Sequence, residues 1–180
     1  MPMRSASVAL LAVLLLGLGA CGAGDGDRPQ RTTQAAPPPS ARDPLALPPQ
    51  VPEQATGPAD PVAVRVIRDW PATLRRGDTR GAARFFALPS RFQNGTPVLT
   101  VDNELERIAI NEALPCGARM ASAGGAGAYT IVGYVLERRP GGDCGGGVGA
   151  RARGAIRVAG GHIKEWYRLP DAPPAAGQAV

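Results

Sequence analysis

The sequence predicts an α+β domain of about three helices and an antiparallel sheet, carried behind an export signal and a proline-rich linker. Three observations predict it. Helical apolar spacing is confined to the stretch before Pro115. After Cys116 come four strand-like segments joined by glycine turns, and helices followed by a strand meander mean a segregated α+β arrangement. Ahead of both lie an apolar run ending in Ala20-Cys21 and a segment dense in proline.

Composition sets the outer limits. The chain has 180 residues, 20 basic against 15 acidic, with formal charge +5. That length excludes multi-domain enzymes, tandem repeats and multi-span membrane proteins. The 24 glycines and 19 prolines exceed globular usage and point to a disordered part. One histidine and three cysteines leave little room for a metal site, and none is predicted. No cofactor motif is present. Gly124-Gly125-Ala126-Gly127 and the glycines of 141–149 lack the Lys-Ser/Thr and following helix of a phosphate loop, so they read as turns.

The first elements are an address. Arg4 supplies a positive start, and residues 8–20 form an apolar run too short for a comfortable membrane span. The run ends Leu18-Gly19-Ala20-Cys21, which resembles a bacterial lipobox, where the cysteine becomes the acylated first residue. The other reading is an ordinary signal peptide with an incidental cysteine. The lipobox implies a protein held at the extracytoplasmic face of the cell membrane through lipid on Cys21. Removing 1–20 takes away Arg4 and lowers the charge from +5 to +4. Residues 21–61 then hold ten of the 19 prolines and no apolar period, so they read as a disordered spacer. The folded domain is expected over 62–170, and 171–180 as a frayed tail.

Within the domain, Asp60 and Pro61 suit a helix start, and Ala63, Ile67, Trp70 and Leu74 give it one apolar face. Pro71 falls inside this period and predicts a kink or a later start. Arg76-Gly77-Asp78 reads as stop, turn and new cap. A second helix is expected over 79–86 with Ala82, Ala83 and Phe86 inward, ended by Pro89. Residues 91–94 and 97–101 read as short strands about Asn94-Gly95. Asp102 is expected to cap a third helix with Leu105, Ile108, Ala109 and Leu114 as its face, stopped by Pro115. Strands follow at 118–123, 129–137, 151–158 and 162–169. The 151–158 strand should carry Arg151, Arg153 and Arg157 on one face, opposite Ala152, Ile156 and Val158.

This order, the Arg76-Gly77-Asp78 break, the ending Phe85-Phe86-Ala87 and the closing Gly160-Gly161-His162-Ile163-Lys164-Glu165-Trp166 resemble the nuclear transport factor 2-like superfamily. That group includes SnoaL-like proteins and ketosteroid isomerases. The resemblance covers about 62–170. It implies a cone: a strongly curved antiparallel sheet around helices, with an apolar pocket at the wide mouth and a frequent habit of dimerising through the outer sheet face. Enzymes, binders and assembly modules share such a fold, so the fold does not decide function.

With Cys21 spent on lipid, Cys116 and Cys144 remain, and export favours a disulfide between them. Closing that loop is worth about 3–4 kcal/mol. A reactive or metal-binding thiol is the other reading.

Apolar spacing nominates Trp70, Phe86, Phe92, Tyr134 and Trp166 as pocket lining, with plain core packing as the alternative. An isomerase would need a carboxylate base beside a tyrosine in an apolar pocket. Asp102 and Glu165 are the weak candidates. Asp102 doubles as a cap. Glu165 alternates with Ile163 and Tyr167, so it either points inward or pairs with a cross-strand arginine. Tyr129 and Tyr134 should fall on opposite faces of one strand, and His162 reads as an exposed turn residue. No catalytic constellation emerges.

The basic residues are nineteen arginines and Lys164. Arg151, Arg153 and Arg157, joined by Arg168, would make a stripe suited to anionic lipid or wall polymer, or simply a solvated face. Export excludes nucleic acid as partner. The sequence thus reads as a membrane-anchored binding or assembly domain, holding a small apolar ligand or a protein partner, itself included. An isomerase, dehydratase or cyclase acting on a hydrophobic substrate is the alternative.

Overall fold

The computed structural model describes residues 46–171. The expected signal, Cys21, most of the expected linker and the tail from 172 lie outside the described residues.

Helix α1 (Pro61–Arg75) begins as its sequence dictates. The Asp60 carboxylate accepts from the backbone N–H groups of Val62 and Ala63, and Pro61 occupies a first-turn position where no N–H is needed. The helix runs on through Pro71, and Ala63, Ile67, Trp70 and Leu74 are all buried. Gly77, at φ 83°, makes the turn expected between helices. Asp78 then caps α2 (Thr79–Ala83) by accepting from Gly81 N–H.

The second helix ends three residues earlier than its pattern suggests. Phe86 opens strand β1 (Phe86–Gln93), which contains Pro89, and Leu99–Val101 forms β2 antiparallel to it. The helical spacing of Ala82, Ala83 and Phe86 is real, but the Ile163 N–H donates to the Phe85 carbonyl at 2.7 Å and draws the chain into the sheet. Helix α3 (Glu104–Glu112) is capped by Asn103, not Asp102. Asn103 Oδ1 accepts from Glu106 N–H, while the Glu106 carboxylate takes the Asp102 N–H, a reciprocal pair that leaves Asp102 exposed. The buried face is Ile108, Ile110 and Asn111. Leu105, expected inside, is 78% exposed, and Ala109 is exposed too.

The last four strands are β3 (Gly117–Ala126), β4 (Tyr129–Glu137), β5 (Arg151–Ala159) and β6 (His162–Leu169). They form the expected antiparallel meander. The whole sheet has the order β2-β1-β6-β5-β4-β3, curves about the helices and stays open. One pairing departs from the all-antiparallel expectation: β1 runs parallel to β6. That is possible because α3 and the meander separate the two strands in sequence, far enough for a crossover.

One face of the sheet packs on the helices. Ile67, Trp70, Leu74, Phe86, Val132, Tyr134, Ile156, Ile163 and Trp166 share this core. The other face carries Tyr129, Ile131, Ala155, Tyr167 and Leu169, and Val51 lies buried among them with Leu47 partly so. Residues 46–60, expected to belong to the spacer, therefore pack on the domain. The N–H groups of Thr56 and Gly57 donate to the Gly125 carbonyl, and Gly125 N–H donates back to Gly57. A Cβ on Gly125 would sit 2.2 Å from the Pro58 carbonyl oxygen, so only glycine permits this approach.

Cys116 and Cys144 stand with sulfurs 2.00 Å apart, joining the start of β3 to the glycine-rich loop after β4. Arg139, at the head of that loop, is 7% exposed. Its guanidinium donates to the carbonyls of Glu112 at 2.8 Å and Leu114 at 2.6 Å, covering the unpaired end of α3.

Candidate functional site

Strand alternation decides which side chains face the helices. In β5, Ala152, Gly154 and Ile156 face them. In β4, directly across, Tyr134 opposes Ala152. On the other side, β6 offers Trp166 opposite Ile156 and Arg168 opposite Gly154. Ala152, small and set in the middle strand among large neighbours, leaves a hollow. It forms a cavity of about 240 Å³ lined by Trp70, Pro71 and Leu74 of α1, Asn94, Leu114, Pro115, Cys116, Ala118, Tyr134, Leu136, Ala152, Arg153, Trp166 and Arg168.

Three of the five predicted pocket residues, Trp70, Tyr134 and Trp166, line this cavity. Phe86 and Phe92 do not. They stand behind the tryptophans as core: Phe92 stacks on Trp166 at 4.8 Å between ring centres, and Phe86 meets Trp70 edge-on at 5.4 Å. These contacts hold the lining rings in place.

The polar atoms of the wall differ in their partners. The Trp70 indole N–H donates to Asn111 Oδ1 at 2.8 Å, and the Asn111 amide donates to the Arg107 carbonyl at 2.7 Å. The Tyr134 hydroxyl and the Trp166 indole N–H are buried and have no hydrogen-bond partner among the described residues. Burial drives the Tyr134 phenol far above its ordinary value, so it stays protonated and remains a donor. Arg168, with its side chain 27% exposed, borders solvent and pairs with Asp171 at 2.9 Å.

Neither predicted carboxylate reaches the cavity. Asp102 is exposed beside α3. Glu165 stands on the opposite face of the sheet, because Lys164 is an extra residue in β6: Val158 pairs with Ile163, while Arg157 pairs with Glu165. The simple alternation that would carry Glu165 inward with Ile163 is broken there. The inverse expectation, pairing with a cross-strand arginine, is met. Arg157 donates to Oε1 through Nε at 2.8 Å and Nη2 at 2.6 Å, and the hydroxyls of Tyr129 and Tyr167 donate to Oε2 at 2.5 and 3.1 Å. Burial alone would raise the Glu165 pKa. The hydrogen bonds from Tyr129, Arg157 and Tyr167 outweigh it and hold the carboxyl below the usual range. Tyr167 is pushed up to about 12, by burial first and then by the Glu165 charge.

The arginine stripe is only partly a stripe. Arg157 is taken by Glu165, and Arg153 donates to the carbonyls of Pro170 and Glu53. Arg168 lies on the helix-facing side and leaves the row altogether; Arg151 is exposed. Among the described residues no three His, Cys, Asp or Glu side chains stand together as a metal site would require. The buried pair Trp70–Asn111 and the cap Arg139 were not read from sequence. A buried asparagine inside an amphipathic period was the available signal for the first.

No protein-family model matches the sequence, and no curated protein matches it. Solved structures give partial likenesses. A designed protein with a curved β-sheet is 12% identical, with TM-score 0.47, covering 63% of this chain and 88% of that one. An NTF2-like protein of unknown function from Cytophaga hutchinsonii is 10% identical, with TM-score 0.45, covering 58% and 85%. A protein of ketosteroid isomerase-like fold from Catenulispora acidiphila, in complex with trimethylamine, is 13% identical, with TM-score 0.44, covering 58% and 84%. At such scores the α+β assignment stands on this chain's own strand order and register.

Proposed function

We propose that the chain is an exported protein, anchored through lipid on Cys21, whose domain binds a small, largely apolar molecule carrying a hydrogen-bond acceptor. One observation carries the binding reading. Tyr134 and Trp166 both line a mostly apolar cavity, and their hydroxyl and indole N–H are buried and unpartnered among the described residues. A buried donor left unmade costs about 1–3 kcal/mol, a cost that an acceptor on a bound molecule relieves. Among the described residues the lining holds no carboxylate and no histidine. Its phenol is held protonated, so nothing in the cavity takes up a proton, and the reading is of a binder rather than an isomerase. The lipobox-like Leu18-Gly19-Ala20-Cys21 supports the anchor, and a cysteine pair at bonding distance is in keeping with export.

The test uses the chain's two tryptophans, both of which line the cavity. N–H NMR spectra of the full chain should show two indole signals. Adding p-methylacetophenone should move the Trp166 signal, with a smaller effect on Trp70, which is already bonded to Asn111. Tyr134→Phe should leave folding intact, since it removes an unpartnered hydroxyl, and weaken binding about fivefold or more. No shift of Trp166 with any small apolar probe ends the binding reading. Loss of radiolabelled palmitate from a Cys21→Ser chain checks the anchor separately.

A further inference from the structure

We infer that the bound molecule is an anion: a compact apolar carboxylic acid whose carboxylate meets Arg168. This rests on the cavity being a ligand site and adds the chemical class. Trp166 and Arg168 are two residues apart on β6, so both face the helices, and Arg168 lies opposite Gly154, which has no side chain to cover it. Tyr134 of β4 and Trp166 and Arg168 of β6 therefore line one hollow. Among the described residues no Asp or Glu lines it. An amine would meet the positive charge of Arg168, whereas a carboxylate offers that cation up to four acceptor sites.

Arg168 also donates to the Arg153 carbonyl at 3.4 Å, and its ion-pair partner is weakly held. Asp171 is 64% exposed, and such exposed pairs contribute little, so an incoming carboxylate can replace it at small cost. Size narrows the class further. A volume of about 240 Å³ lies below the roughly 300–1,000 Å³ of sites for drug-sized ligands, which suits a single-ring or short branched acid.

The experiment is calorimetric titration of the full chain with four near-isosteres: p-toluate, methyl p-toluate, p-methylacetophenone and p-methylbenzylamine. At neutral pH and low salt, p-toluate should bind at least tenfold more tightly than the ester and ketone, and the amine should not bind. Raising salt to about 0.5 M should weaken the acid and leave the ester unchanged, since screening acts on the charged pair alone. Arg168→Gln should bring the acid down to the ester's affinity. An acid that binds no better than its ester, in a chain whose Trp166 signal the ester moves, overturns the inference and leaves the binding reading standing. So does an acid preference that survives Arg168→Gln. Silence with all four probes overturns both. The acid–ester comparison uses the unaltered chain, so it decides the matter even if the variant folds poorly.

Discussion

Replacing Glu165 with glutamine isolates the network that ties β4, β5 and β6 together on the face away from the helices. The carboxylate is 12% exposed and accepts from Arg157 and from the hydroxyls of Tyr129 and Tyr167. Hydrogen bonds to a charged group are worth about 1.5–3 kcal/mol each. Glutamine keeps one accepting oxygen, but turns an amide N–H₂ toward groups that themselves donate. Arg157 is 35% exposed, and solvent softens its loss. A net destabilisation of about 2–3 kcal/mol at neutral pH follows. The pH dependence provides the internal control. The folded carboxyl titrates below its unfolded value, so its stabilisation is complete above that unfolded value and is lost as pH falls through the folded one. Urea unfolding of both chains, followed by tryptophan fluorescence, should show the gap at pH 7. The gap should shrink steadily below about pH 4, as the native side chain becomes neutral like the amide. A gap under about 0.5 kcal/mol at pH 7, or one that persists unchanged in acid, would refute the reasoning.

Two further outcomes are expected. Asn111→Ala strands the buried Trp70 N–H and opens space between α1 and α3, so it should cost about 2–4 kcal/mol in the same unfolding assay. Combined with Trp70→Phe, the double mutant should recover about 1–2 kcal/mol relative to additivity, and strict additivity would count against a direct bond. Iodoacetamide should label neither Cys116 nor Cys144 in peptides from the unreduced chain. Cys144→Ser should lower stability by about 3 kcal/mol; labelling of both cysteines without reductant would argue against the crosslink.

What the sequence made legible is whatever local chemistry decides. Asp60-Pro61 and Asp78 announce helix starts because a carboxylate and a fixed φ satisfy orphan N–H groups within three residues. β4 follows from its apolar and β-branched run after the Gly127 turn, and β6 from its start after Gly160-Gly161 and its stop at Pro170. What stayed hidden was decided at a distance. Phe86 fits a helix by spacing and a strand by pairing, and its partner Ile163 lies 77 residues away in the chain. Asn103 and Asp102 are equally good caps on paper. The choice falls to Glu106, which reaches back to the Asp102 N–H. Val51 is a single apolar residue among prolines, too little to predict order, yet Tyr129, Ile131 and Tyr167 leave an apolar face that it helps to cover. Of the candidate site, the rings Trp70, Tyr134 and Trp166 were legible as large inward residues. Their distinction from Phe86 and Phe92 was not, because it depends on where Ala152 leaves room.

The extra residue at Lys164 links the failures and successes at the site. Strict alternation through β6 would send Ile163, Glu165 and Tyr167 toward the helices together. The cavity would then hold a carboxylate and a phenol, the raw material of a proton-transfer site. One inserted residue reverses every side chain after it. Ile163 stays inside, Glu165 and Tyr167 turn out to meet Arg157 and Tyr129, and Trp166 and Arg168 turn in. The same irregularity that turns Glu165 away from the hollow therefore brings Trp166 and Arg168 to its wall. Which side chains of β6 face the hollow thus comes down to the register of a single strand.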